Sequence, residues 1–133
     1  MWLGCIVAGF GALQRYSAKA GPVHAPANAA QFFAAHRHPG KPLLVMALHP
    51  NCPCSEASLA ELGDLIARSH GTCDTLLLQY HPEQDLPGWQ ATPVAQDLGG
   101  VPVRTILDRG GKLAAALGAA TSGHVFFADT QGA

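Results

Sequence analysis

Charge is scarce in this sequence. Eight Lys and Arg and nine Asp and Glu make 13% of 133 residues, about half of the ~25% usual in soluble domains. Together with a net charge of −1, this excludes a basic nucleic-acid footprint and a solvated, charge-rich disordered chain. There is no glycine-rich phosphate loop, no interpretable Ser/His/Asp arrangement and no carboxylate pair beside an apolar pocket. Hydrolase and nucleotide-binding readings therefore have no support, and no cofactor is expected. Long apolar runs are lacking too: the uncharged stretch 1–13 would reach only about 20 Å as a helix, short of the roughly 30 Å hydrocarbon core, and cannot span a bilayer by itself.

What is present points to one globular domain: 48% apolar residues for a core, and 15 Gly and 10 Pro for turns, in a chain of ordinary single-domain length. Residues 1–21 carry Trp2, Leu3, Ile6, Val7, Phe10 and Leu13, followed by Ala18-Lys19-Ala20. An apolar run followed by such an A-x-A-like triplet fits a secretory signal or the second half of a signal-anchor, although the basic n-region is missing. The alternative is a core helix packed on the domain. Cys5 has too few residues before it for a lipobox. Residues 22–41 form an extension with a short helix over 27–36, closed by Pro39-Gly40.

The domain proper is expected over 42–133. Its first segment, 42–48, is a continuous apolar run with the character of a fully buried strand. A helix follows from about Pro53 to His70, with Leu59, Leu62, Leu65 and Ile66 on one stripe and Gly71 as its stop. A second buried strand covers 75–80 and should run parallel to the first, since a helix joins them. Thr92-Pro93 reads as the start of a short helix ending at Gly99-Gly100. An apolar strand over 101–107, a turn at 108–111, a short Ala-rich helix over 112–117 and a strand at 125–128 complete an α/β sandwich with a central sheet. The turn at 129–132 has no strand after it, so the sheet is expected to be cut short at its C-terminal edge.

The chemistry concentrates in His49-Pro50-Asn51-Cys52-Pro53-Cys54-Ser55, where the first strand ends and the long helix begins. In open α/β sheets, function collects beyond the C-terminal strand ends. Proline favours the first helical position, which makes Cys52 the N-cap and puts Cys54 in the first turn. Free N–H groups and the positive end of the helix dipole stabilise a thiolate there. Three alternatives stand: a redox pair in which Cys52 attacks and Cys54 resolves, soft ligands for copper or zinc completed by a histidine, or two small residues packed at a helix start. A Cys-x-Cys disulfide closes a very small ring, which raises the reduction potential. Among the other residues, His24, His36 and His38 are expected in solvent, His70 as a helix C-terminal cation, Cys73 as a small packed residue, and Trp89 as packing. His49 and His124 are the histidines placed near Cys52.

These residues, with the helix Ser58-Leu59-Ala60-Glu61-Leu62 and Thr121-Ser122-Gly123-His124-Val125 entering a strand that ends in Asp129-x-x-Gly132, resemble the thioredoxin superfamily over about 42–132. The similarity is to its extracytoplasmic, membrane-anchored branch typified by TlpA and ResA, and above all to bacterial RedB-like proteins. The resemblance implies a central mixed sheet and a periplasmic thiol–disulfide oxidoreductase acting on protein thiols or disulfides. Its catalytic residues would be Cys52 and Cys54, with His49, Pro53, Ser55, Gly123 and His124 lining the site. Two departures stand out. The usual Cys-x-x-Cys can be fitted as Cys52-Pro53-Cys54-Ser55 or as Asn51-Cys52-Pro53-Cys54, and the usual cis-proline position falls on Gly123. A related copper-handling branch pairs two cysteines with a histidine, which keeps a Cu(I) site of Cys52, Cys54 and His124 open as the alternative.

Overall fold

The computed structural model describes residues 2–17, 26, 28–87, 89, 97–98 and 101–131. The elements in chain order are α1 (Trp2–Ser17), α2 (Ala29–His36), β1 (Leu43–Leu48), α3 (Cys54–Ser69), β2 (Asp74–His81), β3 (Asp97–Leu98), β4 (Val101–Pro102), β5 (Arg104–Arg109), α4 (Lys112–Ala116) and β6 (His124–Ala128). Four strands make a mixed sheet in the order β5-β2-β1-β6. β1 and β2 run parallel, with Leu43 opposite Asp74 and Leu48 opposite Gln79, and β5 runs parallel to β2. β6 is antiparallel to β1, with Ala47 opposite His124.

The apolar run of β1 needs no polar face because it is central and covered on both sides. Successive side chains point to opposite faces. Leu43 and Val45 join Leu76, Leu78 and Ala128 in a core that includes Ala29 and Phe33 of α2 and Leu117 beyond α4. Leu44, Met46 and Leu48 join Leu77 in the other core, closed by Leu62 and Ile66 of α3. Leu65, expected on the same stripe of α3, is 52% exposed. His70 takes the left-handed C-cap conformation at φ 49°, and Gly71 follows it in the same region at φ 75°, ending the helix.

Several expectations are corrected. The large apolar side chains of α1 are exposed along its whole length, so it is not a helix packed on the core. The helix expected from Thr92 falls largely on residues outside the described ones, and Asp97–Leu98, which it included, is a strand paired antiparallel with Val101–Pro102. The single strand expected over 101–107 is thus two. Pro102, which has no N–H to donate to a ladder, closes the small hairpin, and only β5 joins the main sheet. His36 is half-buried with its ring 4.4 Å from that of Phe32 rather than solvated. His24 lies outside the described residues.

His38 is also engaged: its N–H donates to Asp74 Oδ2 at 2.9 Å, and its Nδ1 lies 2.6 Å from the same oxygen. Burial pushes the Asp74 carboxyl up, but the His38 N–H and imidazole, with Lys41 nearby, outweigh it and hold the carboxyl below its ordinary value. A carboxyl depressed in the folded state contributes stability above its unfolded pKa and loses it as pH falls through the folded one. Asp74→Asn should therefore be less stable than the parent at pH 7, with the gap closing as pH drops below about 4. Urea melts across pH check this; a gap that is constant down to pH 2 would remove the Asp74 carboxylate as its cause.

Candidate functional site

β1 ends at Leu48, and residues 49–53 turn the chain into α3. The Cys52 N–H donates to the His49 carbonyl at 3.1 Å, and the Ser55 N–H donates to the Cys52 carbonyl at 3.0 Å. Regular helix begins at Cys54, one residue after the expected start, yet Pro53 already has helical angles, φ −59° and ψ −25°. The first turn thus opens at Cys52, which sets the pair at the N-terminal, positive end of the α3 dipole. Cys52 and Cys54 are joined in a disulfide with their Cα atoms 5.3 Å apart. Cys52 is half-buried and Cys54 exposed.

Ser55, only 3% exposed, anchors this turn. Its hydroxyl donates to the His49 carbonyl at 2.7 Å and lies 3.0 Å from the Ser122 hydroxyl, which accepts the His49 N–H at 2.9 Å. Since the one Ser55 proton goes to the carbonyl, Ser122 must donate to Ser55. A closed ring results, running from the His49 N–H through two hydroxyls back to the carbonyl of the same residue. It ties the end of β1, the start of α3 and the loop before β6 into one unit.

The His49 imidazole stacks on Tyr80, with centroids 4.9 Å apart. Trp89 meets both rings edge-on at 5.7 and 5.8 Å. The Asn51 N–H donates to His49 Nδ1 at 3.3 Å, so the proton of the neutral ring sits on Nε2. Sequence reasoning missed Tyr80, Trp89 and Ser122: Trp89 sits in a turn-rich segment without periodicity, and the Ser55–Ser122 contact spans 67 residues.

Gly123 sits at φ 83° and donates its N–H to the Ala47 carbonyl at 2.8 Å. A Cβ there would come 2.7 Å from Ser58 Oγ of α3. His124 turns to the other face of the sheet: its Nδ1 accepts the Ala120 N–H at 3.3 Å, and its ring stacks on Phe126 at 4.6 Å. The structure therefore gathers His49, Cys52, Pro53, Cys54 and Ser55 at one strand-to-helix turn and packs Gly123 against α3. Among the described residues no three His, Cys, Asp or Glu side chains group as a metal ligand set. Cys73 donates to the Asp74 carbonyl at 3.3 Å, and burial pushes its thiol above the ordinary value, which disfavours its thiolate.

No protein-family model and no curated protein sequence matches the chain. Among solved structures the chain is similar to M. tuberculosis DsbF, determined in mixed oxidised and reduced forms, with a TM-score of 0.50 and 18% identity over 71% of this chain and 66% of that one. The chain thus spans just under two thirds of that protein's length. With the mixed sheet flanked by helices, this likeness gives the chain a thioredoxin-like fold.

Proposed function

We propose that the chain is a thiol–disulfide oxidoreductase of the extracytoplasmic, RedB-like kind, exchanging its Cys52-Pro53-Cys54 disulfide with protein thiols. The observation that carries this reading is the Cys52–Cys54 pair set where the central strand β1 runs into the N-terminus of α3. The sequence expectation gave first contact to Cys52; here we assign it instead to Cys54, the exposed member, which meets the incoming substrate thiolate. A new S–S bond forms between substrate and Cys54 as the Cys52–Cys54 bond breaks, and its electron pair leaves on Cys52. That leaving thiolate is stabilised by the helix N-terminus, and a low-pKa thiol leaves faster. A second substrate thiol, deprotonated to the solvent, then attacks the mixed disulfide. The substrate departs oxidised, two electrons reside on the protein, and Cys52 and Cys54 take up two protons as thiols. The reverse sequence reduces a substrate disulfide by the same bonds.

α1 supports the export and membrane-contact part of the reading through its exposed apolar side chains, although no helix among the described residues is long and apolar enough to cross a membrane. The test is alkylation and mass measurement across a series of glutathione redox buffers without metal. Cys52 and Cys54 should gain and lose two labels together, at a high potential for the fold because the ring is small. Both thiols staying free in the oxidising buffer would overturn the reading.

A further inference from the structure

A cavity of about 200 Å³ lies on the opposite side of the His49–Ser122 contact from α3, at the C-terminal ends of β1, β2 and β5. Leu78 and Tyr80 line it from β2, Ala114 from α4, and Ala119 from the loop before β6, with His49 and Ser122 completing the wall. Small-molecule and cofactor sites usually measure roughly 300–1,000 Å³, so this space is too small for a cofactor and of a size that one side chain fills. Asp108 also borders it, but that carboxylate is 2% exposed and committed to its own chain: Oδ1 accepts the Leu113 N–H and Oδ2 the Ala114 N–H, each at 2.9 Å. The cavity therefore offers apolar walls and no free carboxylate to recruit a cation.

Its position fixes what reaches it. His49 and Ser122 belong both to this wall and to the hydrogen-bond ring that holds the Cys52–Cys54 turn. A polypeptide whose cysteine reaches the disulfide therefore meets the turn that the walls of the cavity, His49 and Ser122, hold in place. We infer that the cavity is a specificity pocket that receives an uncharged aliphatic side chain beside the substrate cysteine. The inference rests on the thiol–disulfide reading and adds to it the class of polypeptide preferred. Tyr80 and His49 form a flat, rigid wall for such a side chain, and Ala114 and Ala119 leave it room.

The test uses the oxidised full chain and N-acetylated, C-amidated tripeptides in which one cysteine is flanked by Leu, Gly or Asp, with dithiothreitol as a substrate that has no side chain to place. The Leu peptide should react about tenfold faster than the Gly and Asp peptides, the scale on which an apolar pocket discriminates. Ala114→Leu and Ala119→Val, which fill the cavity to different extents, should each bring the Leu-to-Gly ratio toward one, and because a ratio is read within each variant, partial loss of folded protein cancels. Equal rates for the Leu and Gly peptides with the parent protein, or a preference surviving in both variants, would overturn the pocket. A parent protein that fails to oxidise dithiothreitol overturns the exchange reading itself, and the pocket with it.

Discussion

Cys52→Ser and Cys54→Ser should each bring substrate oxidation to the uncatalysed background, a loss of roughly 10³-fold or more, the scale seen when a catalytic nucleophile is removed. The two variants should differ in what they trap. With Cys52 replaced, Cys54 keeps its exposed position, so a mixed disulfide with a protein partner forms there and persists. With Cys54 replaced, the half-buried Cys52 retains the favourable helix terminus but meets a bulky partner less readily. Mass analysis of adducts formed with an activated protein disulfide should find the Cys52→Ser adduct accumulating several-fold faster. The reverse order would place first attack at Cys52 and make Cys54 the resolving sulfur.

The second large effect is at Gly123. Its φ of 83° lies where an L-residue pays about 1–2 kcal/mol, so Gly123→Ala should cost about that much once Ser58 Oγ rotates away from the new Cβ. Gly123→Pro forces φ near −65° and deletes the N–H that now reaches the Ala47 carbonyl. A proline so misplaced costs about 3 kcal/mol or more, a large share of the roughly 5–15 kcal/mol that holds a domain folded. Urea denaturation should find both variants folded in buffer, with the midpoint of Gly123→Pro falling further below that of the parent than the midpoint of Gly123→Ala. A Gly123→Pro protein as stable as its parent would mean that this loop can adopt the proline geometry of related folds. As it stands, the glycine buys close approach to α3 and a bond to β1 that proline would forfeit.

The parts of the fold legible in the sequence are those set by short-range pattern. The apolar run of β1, the stripe of α3 and the second apolar run are each decided within a dozen residues, and the strands read over 42–48 and 75–80 fall on β1 and β2. The connecting helix also implied their parallel pairing. The segment 97–109 was legible only in part: the strand read over 101–107 covers β4 and most of β5, but β5 is an edge strand, half exposed and mixed in character, and whether 101–102 pairs forward or back depends on partners elsewhere. The site divides in the same way. The Cys52-Pro53-Cys54-Ser55 turn is contiguous and announces itself, whereas Ser122 closes its ring from a distance and carries no local mark. His124 was placed near the cysteines by its position in the chain. The alternation of β6, with His124, Phe126 and Ala128 on one side, turns its ring to the face away from α3.

α1 governs how this protein behaves in a test tube. Trp2 is 82% and Phe10 68% exposed, and a net charge of −1 provides almost no electrostatic repulsion between copies. Colloidal stability is thereby separated from conformational stability. On warming or concentration, molecules should adhere through these helices while the sheet is still intact, so turbidity is expected to report the helix and a spectroscopic signal from the core to report unfolding. A mild detergent that coats residues 2–17 raises the concentration at which clouding begins and leaves the melting of the β1–β2 core where it was.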